Sequence, residues 1–257
     1  MSTSNAFKIA LASHQQQYGL WCSLASNVTA EVVAGAGFDW LLIDVEHSPN
    51  DLRSVLSQLQ AVAAYPVEPI VRPPCADVVL IKQYLDIGVR SLLLPNIESA
   101  EQARAMVAAT RYAMQGMRGV SVSSRANNYG RVTGYHQQAH DNICLVLQIE
   151  SPQAVSQAQA IAEVDGVDAL FVGPSDLSAS MGLLLQPRRS EVQAAIAAVR
   201  DSAEKAGKPV GILAPDAEDA RRYLEMGYTM VGLGSDLGLL ARSADTLAQR
   251  FKAPPTD

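Results

Sequence analysis

Four stretches of the chain repeat one pattern, a glycine followed closely by an apolar run. They are GFDWLLID from Gly37, GVRSLLLP from Gly88, GVDALFVG from Gly166 and GYTMVGLG from Gly227. Each follows a helix-like stretch, so the glycine fits the left-handed residue that ends a helix, and the run fits a short strand buried on both faces. Four further runs bring the strands to eight: YGLWCSL from Tyr18, VEPIVR from Val67, ICLVLQIE from Ile143 and PVGIL from Pro209. Ser48-Pro49 and Ser151-Pro152 each set a capping side chain before a proline at the first helical position. Ser99-x-x-Gln102 and Ser190-x-x-Gln193 have the spacing of capping boxes. Strands alternating with helices mean a parallel sheet, and eight units predict a closed (β/α)8 TIM barrel, with residues 1–257 as one domain. The alternative, a doubly wound open sheet, lacks a GxGxxG after its first strand.

Composition narrows the partners. At 257 residues and 48% apolar content the chain can bury a full core. Its net charge of −6 gives no basic footprint for nucleic acid or an anionic membrane. No apolar run reaches the roughly 18 residues of a membrane span, and the start MSTSNAFKIA has no signal-peptide core, so a cytoplasmic protein is expected. Cys22, Cys75 and Cys144 are odd in number, widely spaced and set in apolar or strand-like sequence, which reads as reduced packing residues.

The strand ends carry the chemistry. On a barrel of this kind reactive groups gather where the C-terminal ends of different strands converge. The second strand runs LLID into Asp44, Glu46 and His47; the third ends in Arg72, the fifth in Gln148 and Glu150, and the sixth leads into Gly173-Pro174-Ser175-Asp176. Taken singly, Glu150 and Asp176 read as helix-capping groups, Arg72 as a surface charge and His47 as a solvated loop histidine. Their meeting at one end of one barrel favours a site. Two carboxylates without Cys or a second His suit a hard divalent ion, Mg²⁺ or Mn²⁺, with Co²⁺ a further candidate. An arginine beside it can stabilise an oxyanion, and an imidazole can move a proton. None of the five lysines ends a strand, so a Schiff base has no nucleophile.

The motifs GLWCSLASN, LLIDVEHSPN, PIVRP, LDIG, LLLPNIESAEQAR, LQIE and DGVDALFVGPSDLS, in this order, resemble the metal-dependent class II pyruvate aldolases of the 4-hydroxy-2-oxoheptanedioate aldolase type, enzymes of aromatic catabolism. That family lies in the phosphoenolpyruvate/pyruvate barrel superfamily. The resemblance implies reversible cleavage of 4-hydroxy-2-oxo acids to pyruvate and an aldehyde. It assigns His47 as proton acceptor and Arg72 as the group that steadies the enolate. It gives Glu150 and Asp176 as metal ligands, and Gln148, Ser175 and Asp176, with Arg72, as the pyruvate site. It also implies a homohexamer whose last helices are exchanged between neighbours. Asp44 is a candidate partner behind these groups.

The resemblance further assigns Asp86 of LDIG to the histidine. Yet Asp86 falls near the C-terminus of the helix after the third strand, on the barrel end away from the site. The two statements agree if Asp86 meets His47 of another subunit.

Residues 112–142 form a long polar connection with Arg118, Arg125 and Arg131. Long loops are often functional. Either these arginines pair with the acidic surface, or Arg125 holds the acceptor aldehyde, from its own or a neighbouring subunit. SVSSRANNYG in this loop is nearer to relatives acting on sugar-derived acids, which keeps an aldolase for 2-keto-3-deoxy acids as an alternative. His136 and His140 are spaced for a helical metal pair, but a polar helix face accounts for them equally. Trp21 either shapes the aldehyde pocket or fills core. Two other classes stand beside the aldolase: an acyl-CoA lyase, for which no adenine or pantetheine channel is visible, and a non-catalytic keto-acid-binding barrel, which would not need a base.

Overall fold

The computed structural model describes residues 4–252, so the first three residues of the MSTSNAFKIA start and the tail from 253 lie outside the described part. All eight expected strands are present: β1 (Gln17–Cys22), β2 (Trp40–Asp44), β3 (Glu68–Arg72), β4 (Ser91–Leu94), β5 (Cys144–Ile149), β6 (Ala169–Val172), β7 (Val210–Leu213) and β8 (Met230–Ser235). They pair in parallel and in sequence order, and β8 closes on β1, giving the (β/α)8 barrel. Gly37, Gly88, Gly166 and Gly227 all sit at φ between +93° and +96°, but only Gly88 and Gly227 directly follow a helix cap, Ile87 and Met226; the helices before Gly37 and Gly166 have already ended at Gly35 and Glu163, and these two glycines turn the connection into the strand.

Period-two alternation divides the strand residues between two cores. Leu41 and Ile43 of β2 face the surrounding helices, while Trp40 and Leu42 face the barrel interior. Trp21 belongs to the interior, packed edge-on against Trp40 at 5.6 Å and tilted against Phe171 at 5.7 Å. It therefore fills core, the second of its two expected roles. Room for these rings comes from Gly19, where any Cβ would overlap the Trp40 indole.

One end of the barrel is plugged. The helix Ala6–Ala12 inserts Phe7 and Leu11 into the interior cluster. Asn5 Nδ2 donates to Ser91 Oγ at 2.9 Å and to the Asn142 carbonyl at 3.2 Å, and Lys8 Nζ donates to the Ile143 carbonyl at 2.7 Å. These anchors sit at strand beginnings, so only the opposite mouth, at the strand ends, is left for chemistry.

Two helix starts fall elsewhere than expected. The helix Leu52–Ala61 is capped by Asp51, whose carboxylate accepts from the Ser54 and Arg53 amides while Ser54 Oγ accepts from the Asp51 amide. Ser48 and Asn50 instead fold back on Asp44: Ser48 Oγ donates to Oδ2 at 3.4 Å and Asn50 Nδ2 to the carbonyl at 2.7 Å. The helix Ser190–Lys205 starts from Arg189 with no side-chain cap, because Gln193 spends its amide on the Pro187 carbonyl and the Tyr223 hydroxyl. Ser151 and Ser99 do cap their helices. Gln102 completes that second cap one residue early, accepting from the Glu98 amide at 2.8 Å.

The cysteines are all free. Cys22 and Cys144 are buried packing residues, whereas Cys75 is exposed after Pro73-Pro74, against expectation. Among the described residues, no helix is long and apolar enough to cross a membrane.

Candidate active site

The end of β2 is organised by one carboxylate. Asp44, 2% exposed, accepts Arg72 Nε at 2.9 Å on Oδ1 and Nη2 at 2.8 Å on Oδ2, a fork-to-fork pair across neighbouring strand ends. Oδ1 also accepts the backbone N–H groups of Glu46 at 3.1 Å and His47 at 3.4 Å. The same group thus fixes the guanidinium and bends the chain so that His47 leaves the barrel. The His47 side chain is 60% exposed, at the rim, with Nε2 3.7 Å from Glu46 Oε2.

Glu46 bridges these two groups, since its Oε2 also lies 3.1 Å from Arg72 Nη1. Burial raises its carboxyl above the ordinary range; Arg72 and His47 oppose the shift, and Asp44 and Asp176 add to it. Arg72, 6% exposed, remains charged because Asp44 and Glu46 outweigh the cost of its burial.

Across the mouth, β5 delivers Gln148 and Glu150. Glu150 is 5% exposed, and its carboxyl is pushed up to about 8, chiefly by burial and then by the charges of Asp176 and Glu46, with Arg72 opposing. Its Oε1 accepts from Gln148 Nε2, and its Oε2 accepts from the Asn96 amide at 3.4 Å. Gln148 Oε1 is buried without a hydrogen-bond partner. Asp176 and Ser175, both exposed, lie in the first turn of the helix Pro174–Ser180, which no side chain caps. Its preceding residue, Gly173, leaves space for the acids: a Cβ there would run into Glu150 Oε1 and approach Gln148 Nε2 to 2.9 Å.

The site therefore gathers Asp44, Glu46, Glu150 and Asp176 against the single guanidinium of Arg72 and the imidazole of His47. Such a mouth holds more acids than cations; burial is the main cause of the raised Glu150 carboxyl, and the Asp176 and Glu46 charges add to it. A divalent cation fits it. Among the described residues no group of three or more His, Cys, Asp or Glu side chains is placed to hold a metal ion by itself. The protein's share would be Glu150 and Asp176, leaving other positions to oxygen ligands.

Three contributions to the site were not assigned from sequence. Glu46 was visible in DVEH, but its bridge from Arg72 to His47 was not. Asn96 takes a left-handed conformation, φ +55°, that presents its amide to Glu150 and its Nδ2 to Glu46 Oε1 at 3.4 Å. Gly173 matters for the volume it leaves empty.

Two expected residues lie apart from this mouth within the chain. Asp86 ends the helix Val78–Asp86 and accepts Arg118 Nη2 at 3.1 Å. Arg118 is not a surface arginine. It is 3% exposed, with its guanidinium 4.5 Å over the Tyr112 ring. Arg125 donates to the Ile87 carbonyl at 2.9 Å, toward the beginnings of the strands, so it cannot reach the acceptor position of its own subunit. His136 and His140 do not form a metal pair: the first contacts the Ser121 carbonyl at 3.1 Å and the second Asp141 at 3.2 Å.

A parallel barrel with paired acids, an arginine and a histidine at its open mouth is an architecture for carbon–carbon bond chemistry, and residues 17–243 match the HpcH/HpaI aldolase/citrate lyase family. The chain belongs to that family. It is 52% identical over 258 residues to the hydroxypyruvate/pyruvate aldolase of Cupriavidus necator, covering 100% of this chain and 96% of that one. It is 50% identical over 250 residues to the 4-hydroxy-2-oxo-heptane-1,7-dioate aldolase of Salmonella dublin, covering 97% and 95%. The crystal structure of an HpcH/HpaI aldolase/citrate lyase family protein from Burkholderia cenocepacia J2315 superposes with a TM-score of 0.95 at 41% identity, over 97% of this chain and 100% of that one. The protein is an aldolase, a carbon–carbon lyase.

Proposed function

We propose that the protein is a divalent-metal-dependent pyruvate aldolase that cleaves 4-hydroxy-2-oxo acids to pyruvate and an aldehyde and runs the reaction in reverse. The observation that carries this reading is geometric: the buried Glu150 carboxyl and Asp176 stand at the same barrel mouth as Arg72, locked on Asp44, and His47 at the rim. Glu150 and Asp176 would hold Mg²⁺ or Mn²⁺, and a bound ion would supply Lewis-acid polarisation of a 2-oxo acid. Gln148 and Ser175 line the pocket for its carboxylate. His47 takes a proton from the methyl carbon and returns it, and Arg72, locked by Asp44, puts fixed positive charge where the enolate develops without having to reorganise.

The acceptor is drawn from two chemistries. One is succinate semialdehyde, as in cleavage of 4-hydroxy-2-oxoheptanedioate; the other is a hydroxylated aldehyde from a sugar-derived acid, toward which SVSSRANNYG points. Of two relatives of about equal identity, one is named for 4-hydroxy-2-oxo-heptane-1,7-dioate, which favours the first acceptor, and the other for hydroxypyruvate and pyruvate, with no acceptor in its name.

The working form is proposed to be a cytoplasmic homohexamer. The last helix, Asp236–Lys252, leaves Leu237, Leu240, Leu247 and Phe251 exposed, an apolar stripe suited to exchange between neighbours. Asp86 then completes the site of an adjacent subunit through His47.

Solvent exchange of the pyruvate methyl protons tests the chemistry without knowledge of the aldehyde. Exchange should require added Mg²⁺ or Mn²⁺, cease with chelator and vanish in His47→Ala. Undiminished exchange in chelator or in that variant rejects the scheme. A panel of aldehydes with pyruvate and hydroxypyruvate as donors then ranks the acceptors.

A further inference from the structure

The plugged end of the barrel carries a second cavity that this chemistry does not use. Its volume is about 350 Å³, and it lies between the end of the helix Leu52–Ala61, the beginnings of β3, β4 and β5, and the long connection after Arg125. Its walls are mainly apolar, with Leu59, Val62, Tyr65, Val89, Ala139 and Ile143 prominent. Size and lining match small-molecule sites, in which a few polar groups fix the orientation of an otherwise apolar ligand.

Two arginines reach this cavity, and they differ in one respect. Arg90 Nη2 donates to Glu68 Oε2 at 2.8 Å, so its charge is met by a buried carboxylate. Arg125 has no carboxylate partner among the described residues. Among the described residues its one side-chain hydrogen bond runs from Nη1 to the Ile87 carbonyl at 2.9 Å, and burial lowers its pKa. Gly88 permits this placement, since a Cβ there would stand 2.8 Å from Nη1 and displace the guanidinium. A half-buried cation with most of its donors unspent is costly unless an anion meets it, and the planar fork matches a carboxylate.

We propose that this cavity is a second ligand site, binding a small amphipathic carboxylate with its head on Arg125 and its aliphatic or aromatic body against Val62, Val89 and Ile143. The ligand is distinct from the reacting keto acid. Among the described residues no acidic pair and no histidine lines this cavity, and it opens at the end of the barrel opposite this chain's own catalytic mouth. An occupant would bridge the barrel to the connection that carries Arg125, Tyr135 and Ala139.

Calorimetric titration of the full-length, metal-loaded protein with octanoate, under saturating pyruvate, tests the assignment. Octanoate should bind saturably, and its neutral isostere octanamide at least about tenfold more weakly. Arg125→Gln and the cavity-filling Ala139→Trp should each weaken octanoate by a similar factor. The octanamide arm needs no variant, so a misfolded variant leaves the test intact. The proposal is overturned if octanoate does not bind, if it binds only when pyruvate is omitted, if octanamide binds equally well, or if both folded variants bind it unchanged.

Discussion

Arg72 and Asp44 are joined by two parallel hydrogen bonds at 2.9 and 2.8 Å with both side chains buried, so that removing Arg72 strands the Asp44 carboxylate and removing Asp44 leaves the guanidinium to Glu46 alone. Asp44→Ala is expected to cost about 3–5 kcal/mol in unfolding free energy, the usual penalty for halving a buried ion pair. Replacing both partners with Asp44→Leu and Arg72→Met should cost less than the two single changes added together. Urea unfolding of the three variants checks the cycle; additive losses would mean the pair is not coupled.

Arg72→Ala alone separates fold from chemistry by another route. Its charge is argued to act on the developing enolate, so turnover should fall by about 10²–10³-fold while the affinity for Mn²⁺ is kept. Glu150→Ala should show the opposite order, losing Mn²⁺ binding first. Paramagnetic titration of Mn²⁺ beside steady-state kinetics distinguishes them.

Gly173 sits at φ −97°, a conformation open to any residue, so alanine there brings no backbone strain. Its Cβ would nevertheless displace Glu150 and Gln148. Gly173→Ala should therefore lose about 10²-fold in activity, the scale of an ångström's misplacement at a reacting centre, with circular dichroism unchanged. Near-native activity would show that the acids tolerate the shift.

Glu150 also makes stability depend on pH. Its folded carboxyl titrates near 8 against an ordinary value of 4.5, so between these the folded protein holds more protons than the unfolded chain, and stability falls as pH rises. Below about 4.5 the group is protonated in both states and has no effect. In chelator, wild type should lose stability relative to Glu150→Gln by on the order of a few kcal/mol as pH rises from about 4.5 to about 8. Thermal melts at the two ends of that window provide the measurement; parallel curves for the two proteins would place Glu150 in an ordinary environment.

Asp86 supplies a test of subunit architecture. If it serves a neighbour's His47, then Asp86→Asn and His47→Ala oligomers, each inactive, should regain part of the wild-type rate when dissociated together and reassembled, because some sites then draw both native residues from different chains. A mixture that remains inactive would confine each site to one chain.

The barrel was legible because strands buried on both faces write themselves as apolar runs, and because four of them are entered through a left-handed glycine, which directly follows the helix cap at Gly88 and Gly227 and lies further along the turn at Gly37 and Gly166. Helix starts at Ser48 and Ser190 were misjudged for a physical reason: a capping side chain competes with tertiary partners, and Asp44 claims Ser48 while the extended backbone of Arg189 opens the later helix unaided. Among the chemical groups, those ending strands could be placed from topology alone. Asn96 depends on a backbone twist and Gly173 on an empty volume, and neither leaves a mark in hydropathy. Arg118 and Asp86 lie 32 residues apart, and no local pattern announces their contact.

The helix that stoppers the barrel has a kinetic implication. It precedes every strand in the chain, yet Asn5 is tethered to Asn142, 137 residues further on, and Lys8 to Ile143. On a growing polypeptide it emerges early but finds its seat only after more than half the barrel has been synthesised. Until then the interior that Phe7 and Leu11 cover is incomplete, so a segment made before every strand is among the last to come to rest.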